Sequence, residues 1–291
     1  MSSTVAVLGA TGVYGRYLVP RLAAAGHRVR ALVRTPASAT AAAAGGVDVR
    51  AADIFDPTSL RAGLEGCEVA INLATSLPSP VKPGGDSNAN NRVRREGVPI
   101  FLAACALSGV SRVVQQSIAM VHCGGGDAWV DETTPFVAAP PGVVGEAIAV
   151  AREMEDLIAA SPLDWLVLRG ALFYGAGTGF DDDWFSRARA GKLRLPEAGD
   201  DYVSLVHVAD MADATVAALA RWPSRRRLMV ADDEPVRWRD LFGFVAACAG
   251  GPQPEPGGPA RFPSFRVRNA RARDALAWAP RFSNYRVGLA R

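Results

Sequence analysis

Near its start the chain reads Val5-Ala6-Val7-Leu8-Gly9-Ala10-Thr11-Gly12-Val13-Tyr14-Gly15, an apolar run that passes directly into glycines at three-residue intervals. The apolar run is typical of a buried strand, and the residues that follow Gly15 have a helical pattern. Glycines so spaced allow a tight turn, the approach of backbone amides to a pyrophosphate, and close packing of helix on strand. The stretch therefore predicts a dinucleotide-binding turn rather than a purely structural one. The residues expected to contact the cofactor there are Gly9, Thr11, Gly12, Val13, Tyr14 and Gly15.

Short β-type runs alternate with helical stretches through the first two thirds of the chain. The runs lie at residues 5–8, 29–33, 69–73, 113–116 and 165–168. Between them, Thr35 and Asp56 each precede a proline and so resemble helix N-caps. Parallel strands need crossover connections, so this alternation predicts an α/β fold with a Rossmann-type doubly wound parallel sheet.

The end of the second predicted strand indicates which dinucleotide is bound. An acidic residue there would bond the adenosine ribose diol, but this chain has Arg34. A guanidinium makes charge-assisted bonds to a 2′-phosphate, so Arg34 predicts NADPH/NADP+, with an exposed solubilising charge as the alternative. Asp53 could accept a bond from the adenine amino group or be a generic loop aspartate. The residues after the third and fourth strands that complete the predicted cofactor site are Asp53, Ile54, Leu73 and Ala74.

The alternation of predicted strands and helices ends at about residue 175, and loops and short helices follow. We expect residues 1–175 to form mainly an NADP-binding Rossmann domain and residues 176–291 mainly a smaller C-terminal substrate-binding lobe, with core elements returning at about 203–230. Two loop-rich stretches, residues 75–91 and 123–145, are predicted to form walls of a substrate pocket. Candidate side chains for an apolar cleft, which could equally be core residues, are Met120, Trp129, Phe173, Phe180 and Trp184.

Composition excludes several classes of protein. The chain has 291 residues, of which 49% are hydrophobic and 21% charged, enough to bury a large core, so disorder is excluded as the main state. A net charge of +3 gives no strong field for nucleic acid or acidic membranes. No apolar run approaches the ~20 residues that span a bilayer, and no signal-peptide pattern is present. We therefore expect a cytoplasmic protein with neither nucleic-acid nor membrane partners.

The four cysteines lack a CxxC pair, so no metal site is predicted, and the oligomeric state stays open.

Beyond the glycine turn, the order and spacing of several stretches resemble the extended and atypical branches of the short-chain dehydrogenase/reductase superfamily. The resemblance covers almost the whole chain and implies a nicotinamide dinucleotide cofactor. The stretches that carry it are Val69-Ala-Ile-Asn-Leu-Ala74, Leu168-Arg-Gly-Ala-Leu-Phe-Tyr-Gly-Ala-Gly177, Leu205-Val-His-Val-Ala-Asp-Met-Ala-Asp-Ala214 and Asn269-Ala-Arg-Ala-Arg-Asp-Ala-Leu-Ala-Trp-Ala-Pro280.

The usual proton-donating pair of this family, a tyrosine with a lysine four positions later, is absent. The chain has only two lysines, Lys82 and Lys192, and neither lies four residues after a tyrosine. Matching Glu155 to the acidic residue that often follows the family lysine places Ala147 at the tyrosine position and Ala151 at the lysine position. The resemblance thus implies a site without its standard acid.

Ser117 and His122 are the remaining candidate catalytic residues. Residues 115–122 resemble the family's strand-end run, but the match places Ile118 at the serine position and Ser117 one residue earlier. A shift of one residue turns a side chain to the other face of an extended segment. Ser117 stays a candidate substrate-bonding hydroxyl, and His122 stands where the family tends to have tyrosine. Arg94 falls where extended members often have asparagine.

A chain that combines an NADPH-type turn with alanines at the tyrosine and lysine positions resembles the atypical ketoreductases of aromatic polyketide biosynthesis, of the angucyclinone C7 type. Hydride transfer stays feasible because the cofactor carries the chemistry and the protein orients it, although a general acid is worth ~10²–10⁴-fold. The proton would come from Ser117, His122, water or a phenolic hydroxyl of the substrate. This predicts a small-molecule aromatic ketone as substrate. Two alternatives stay open: a non-catalytic NADP(H)-binding redox sensor, and an epimerase- or reductase-like enzyme acting on another small molecule.

Overall fold

A computed structural model describes residues 2–35, 47–77, 86–259 and 262–290. Its centre is a seven-stranded parallel sheet with strand order β3-β2-β1-β4-β5-β6-β7, which confirms the predicted Rossmann-type doubly wound fold. The strands are β1 (Thr4–Leu8), β2 (Arg28–Val33), β3 (Asp48–Ala51), β4 (Val69–Asn72), β5 (Arg112–Ile118), β6 (Asp164–Gly170) and β7 (Arg226–Val230).

Helices flank this sheet, and further helices follow in the C-terminal part of the chain. Asp56 caps α2 as predicted, since its carboxylate accepts the Thr58 N–H at 3.0 Å and Pro57 opens the helix. Thr35 is the last described residue before a gap, and the helix predicted to begin at Pro36 lies outside the described ranges. The helices are α1 (Val13–Ala24), α2 (Pro57–Leu64), α3 (Ser87–Arg92), α4 (Val98–Leu107), α5 (Val143–Ala160), α6 (Phe180–Arg189), α7 (Val208–Arg221), α8 (Trp238–Ala249), α9 (Ala270–Leu276) and α10 (Tyr285–Leu289).

The core lies on both faces of the sheet. Val5 and Val7 of β1 pack into one apolar cluster, whereas Ala6 and Leu8 pack into the other. Side chains alternate between the faces of a strand, and helices cover both faces here, so every residue of β1 must be apolar or small. This explains why the central strands appear in the sequence as continuous apolar runs.

Beyond the central sheet, short strand pairs connect the remaining helices. Residues Leu172–Tyr174 pair with Leu205–His207, and Arg194–Pro196 pair with Glu255–Gly258. Helices α6 and α8 meet through aromatic rings, with Trp184 5.7 Å from Phe242 between centroids. The division of the chain at residue 175 stays a prediction. Within the described residues, no helix is both long and apolar enough to cross a bilayer.

Candidate active site

The glycine turn lies directly against the end of β4. Gly9 has φ +83°, which L side chains rarely adopt, and a Cβ there would lie 2.9 Å from the carbonyl group of Leu73. The Gly12 N–H donates to the Gly9 carbonyl at 3.0 Å, which closes the turn. A Cβ on Gly15 would lie 2.3 Å from the Ala10 carbonyl oxygen. The turn therefore has no space for side chains at the first and third glycines.

Helix α1 starts immediately after this turn and presents its first amides to the same edge of the sheet. Gly12, which has no side chain to cap the helix, occupies the N-cap position, and the first turn carries no acidic residue. Uncapped amides and the positive end of the helix dipole favour an anion. The turn and the helix start thus fit a dinucleotide pyrophosphate.

Tyr14 has a different position from the other residues of the turn. Its side chain is buried, and its hydroxyl contacts the Thr215 hydroxyl and lies 3.3 Å from the Met211 carbonyl on α7. Burial raises the pKa of this phenol well above its usual range. The side chain therefore joins α1 to α7, and contact with a cofactor would come from the Tyr14 backbone.

The other predicted cofactor residues follow the carboxyl ends of β2, β3 and β4. Arg34 is exposed at the end of β2, and Ile54 is buried after β3. The Asp53 carboxylate accepts the Phe55 N–H at 2.9 Å. The Ala74 N–H donates to the Asn72 side chain at 3.0 Å, which fixes the backbone after β4. Parallel topology brings these positions to one edge of the sheet, where α/β folds bind nucleotides.

The positions of the missing tyrosine and lysine lie on α5. Ala147, Ala151 and Glu155 follow one another at four-residue intervals and so share one face of this helix. Ala151 is fully buried and Ala147 is half-buried. Neither position offers an acidic proton.

Glu155 is the centre of a buried polar cluster that includes both candidate catalytic residues. The Ser117 hydroxyl donates to its carboxylate at 2.6 Å, and the Arg169 guanidinium pairs with the same carboxylate at 2.6 Å. Arg227 lies 3.2 Å from it. The other side of Arg169 contacts the ring of His122, with Nη1 2.9 Å from Nε2.

The structure thus brings Ser117 and His122 together through Arg169 and Glu155. Because a guanidinium can only donate, Nε2 of His122 accepts that bond. Burial, with the charges of Arg169 and Arg152, lowers the pKa of His122 to about 4, so the ring is neutral at pH 7. In this arrangement the hydroxyl and the imidazole both serve the buried ion pair. Their catalytic roles stay predictions.

Next to Ala147, a narrow cleft opens at the carboxyl ends of β4 and β5, and its volume of about 20 Å³ has room for one small polar group such as an oxygen atom. Arg94 enters it from a π-helical turn, Val93–Gly97, between α3 and α4. Its side chain donates to the Ala147 carbonyl at 2.8 Å. Burial lowers the pKa of Arg94 to about 10, opposed by the charge of Glu155, so the guanidinium stays protonated at pH 7. The cleft is lined by Ala74, Thr75, Leu77, Val93, Arg94, Val98, Gln115, Gln116, Ser117, Ile118 and Met154.

The aromatic residues predicted as pocket walls lie elsewhere. Trp184 is a core residue with 3% exposure, and the Phe173 ring packs edge-on against Tyr14 at 5.6 Å. Trp129 is partly exposed, with the Arg266 guanidinium 4.2 Å from its ring. Among the described residues, none of the five predicted wall residues lines the cleft at β4 and β5.

Residues 9–222 match the NAD(P)H-binding family. The chain belongs to this family. It is 36% identical, over an alignment of 307 positions including gaps, to a 3-diazoavenalumate denitrifying reductase from Streptomyces, with 99% of each chain covered. It is 26% identical to a 4-hydroxy-2-methyl-3-oxo-4-farnesyl-3,4-dihydroquinoline-1-oxide ketoreductase from Stigmatella aurantiaca, covering 84% of this chain and 72% of the relative.

Solved structures agree with this assignment at the level of fold. The UDP-glucose 4-epimerase of Thermus thermophilus in complex with NAD superposes with a TM-score of 0.80 at 20% identity, over 98% of this chain and 96% of the epimerase. This NAD(P)H-binding family member is therefore an atypical short-chain dehydrogenase/reductase, and its reductase relatives indicate an oxidoreductase that uses a nicotinamide cofactor.

Proposed function

We propose that this protein is an NADPH-dependent ketoreductase of a hydroxylated aromatic ketone from secondary metabolism, and that the substrate supplies the proton. The observation that carries the proposal is the pair of alanines, Ala147 and Ala151, at the tyrosine and lysine positions of α5. The Ala147 carbonyl accepts a bond from Arg94, which lines the cleft at the ends of β4 and β5. A phenolic hydroxyl next to the ketone can donate its proton to the carbonyl oxygen internally. Hydride transfer then needs no acidic side chain from the enzyme.

Each part of the site has a separate task in this reaction. NADPH, when bound, supplies the hydride. The amides of the glycine turn and of α1 would hold its pyrophosphate, and Arg34 its 2′-phosphate. The narrow cleft would hold the carbonyl oxygen, and orientation of the ketone accounts for much of what a protein contributes to hydride transfer. Hydride adds to the carbonyl carbon, the carbonyl electrons move to oxygen, and the phenolic proton neutralises that oxygen. The phenolate that results takes a proton from solvent after the product leaves.

Transfer of deuterium tests the proposed reaction. NADPH deuterated at C4 is incubated with the protein and with hydroxylated aromatic ketones, and mass spectrometry and NMR locate the label. We expect deuterium on the carbinol carbon. The same ketone with its phenol methylated should react about 10²–10⁴-fold more slowly, because the internal acid is lost. Equal rates for the two ketones would exclude the substrate as the proton source. Tight NADPH binding without any labelled product would favour the redox sensor.

The Streptomyces relative favours a second candidate function, the reductive removal of a diazo group from an aromatic compound. Its similarity extends over 99% of both chains, unlike that of the ketoreductase. An aryldiazonium ion and a hydride give an arene and dinitrogen with no proton from the protein, so the alanine pair fits this reaction as well. Release of dinitrogen with consumption of NADPH would identify it. The cationic side chain of Arg94 in the cleft favours the ketone over a free diazonium cation.

Replacing Arg34 with alanine tests the preference for NADPH. We expect NADPH to raise the melting temperature of the wild-type protein more than NADH does, and Arg34→Ala to remove the difference. Loss of charge-assisted bonds should raise the Kd for NADPH by about 10- to 100-fold and leave the Kd for NADH unchanged. Arg187, an exposed arginine of α6 that pairs with Asp183, provides the control variant Arg187→Ala. Equal stabilisation of the wild-type protein by the two cofactors would contradict the assignment of Arg34.

A further inference from the structure

Arg94 is a buried cation whose hydrogen-bonding capacity is mostly unused. A guanidinium carries five N–H donors, and in the described part of the chain Arg94 directs one of them, at 2.8 Å, to the Ala147 carbonyl. The residue is only 7% exposed. Ala147 does not require this bond, because helical geometry already gives its carbonyl the Ala151 N–H. The remaining donors are available to a group that enters the cleft.

Arg94 also lacks a carboxylate partner at ion-pair distance among the residues that the structure describes. Among the described residues, Arg94 forms no ion pair within 4.0 Å, whereas Glu155 is already paired with Arg169 and Arg227. The charge of Glu155 offsets the burial of Arg94 only in part, and a buried charge without a directly paired counter-ion is costly to the folded state. The cleft therefore holds excess positive charge, which an anionic or partly anionic oxygen would neutralise.

The backbone around Arg94 is built to place this side chain. The π-helical turn Val93–Gly97 adds a residue to the usual helical repeat, and such turns are frequent at functional sites. A Cβ on Gly97 would lie 2.9 Å from the side chain of Ile54, so the turn packs closely against the residues after β3. Arg94 thereby lines the same cleft as Ser117 and Ile118 and contacts Ala147, the helix residue at the tyrosine position.

We propose that Arg94 is a catalytic residue that donates hydrogen bonds to the carbonyl oxygen of the substrate and stabilises the negative charge that develops there. The proposal rests on the ketoreductase function proposed above. It assigns to Arg94 the task that the missing tyrosine and lysine would have, which is to polarise the carbonyl group of the substrate. Hydride adds to the carbonyl carbon and the π electrons move to oxygen. Arg94 keeps its own proton and holds this oxygen until the substrate's phenol protonates it.

Variants of Arg94 and of its neighbour Arg95 test the proposal. Arg95 lies on the same turn but is exposed and pairs with Glu153, so Arg95→Met is the matched control. We expect Arg94→Met to lower kcat by about 10²–10³-fold, as loss of an oxyanion donor does. Arg94→Lys should recover part of this loss. The Kd for NADPH should stay within about twofold of wild type, and the melting temperature should be unchanged or higher, because an unpaired buried charge is removed.

A binding measurement tests Arg94 without turnover. Salicylate, a planar aromatic with anionic oxygens, is titrated into the protein saturated with NADP+. We expect Arg94→Met to weaken salicylate binding by about 10- to 100-fold and Arg95→Met to leave it unchanged.

The two proposals fail in different ways. If the wild-type protein transfers no deuterium to any ketone, the proposed function is wrong, and the salicylate titration still decides whether Arg94 binds an anionic oxygen. Wild-type kcat in Arg94→Met, absence of salicylate binding to the wild type, or equal binding by wild type and Arg94→Met would each overturn the role of Arg94. A loss of kcat matched by equal losses in NADPH affinity and melting temperature would show a structural role instead.

Discussion

Glu155→Gln is expected to lower the free energy of unfolding by about 3–5 kcal/mol, because it leaves the charge of a buried arginine without its partner. Glu155 and Arg169 are 1% and 2% exposed, and their side chains are 2.6 Å apart. Glutamine keeps the size of the side chain but removes the charge that balances Arg169 and Arg227. For a chain of 291 residues, with an unfolding entropy of about 2.1 cal/mol/K per residue, the melting temperature should fall by roughly 5–8 °C. Denaturant unfolding monitored by circular dichroism measures the change.

A double-mutant cycle separates the ion pair from simple packing. Arg169→Met should be comparably destabilising, whereas the double variant Glu155→Gln/Arg169→Met should be less destabilised than the sum of the single variants. Glu153→Gln is the control, because it breaks the exposed pair with Arg95, and exposed pairs contribute only about 0–1 kcal/mol. If Glu155→Gln were as stable as Glu153→Gln, the buried cluster would have no structural role.

Most of the fold could be predicted from the sequence because its central strands are buried on both faces. Such strands appear as uninterrupted apolar runs: the run at 165–168 corresponds to β6, Asp164–Gly170, and the run at 113–116 corresponds to β5, Arg112–Ile118. The glycine turn was equally clear, because contacts of Gly9 and Gly15 with backbone atoms exclude side chains there. The boundaries of these apolar runs differ from those of the observed strands by one to two residues, because the strand ends are next to loops and are not buried on both faces.

The buried polar cluster could be predicted only in part. A charged residue at the end of an apolar run, as Arg169 is in β6, indicates that a buried partner exists. The choice of Glu155 depends on the rotation of α5 and on the parallel register that sets Ser117 beside Arg169. Sequence spacing determines neither of these. This is why the direction of the Ser117 hydroxyl, which donates to Glu155, stayed open at the level of sequence.

Arg94 shows a second limit of sequence patterns. Its burial depends on a π-helical turn, and an extra residue in a helix changes which side chains face the core without any change in composition. The absence of the Tyr-Lys pair, in contrast, was evident from residue types alone. The sequence thus indicated which pair of side chains the site lacks, and the structure was needed to find the cation that contacts Ala147, at the tyrosine position.

Gly15→Ala is expected to abolish or strongly weaken NADPH binding. An added Cβ would lie 2.3 Å from the Ala10 carbonyl oxygen, a distance that real Cβ atoms do not show, so α1 must move away from the turn. Movement of the helix start displaces the amides that would hold the pyrophosphate. We expect the Kd for NADPH to rise by at least about 100-fold, equivalent to the loss of two good hydrogen bonds, in a fluorescence titration.

Gly243→Ala is the matched control, because it places the same methyl group in another helix with room for it. In α8 a Cβ at this position would lie 3.5 Å from the Gln253 side chain, an ordinary contact distance. Alanine favours a helix interior over glycine by about 0.8–1 kcal/mol, so this variant should be as stable as wild type or slightly more stable and should bind NADPH normally. Normal NADPH affinity in Gly15→Ala would mean that the turn tolerates a side chain, and the pyrophosphate would then have to bind elsewhere. Weak affinity confined to Gly15→Ala would instead place the cofactor at the turn between β1 and α1, because the two variants differ only in where the methyl group lies.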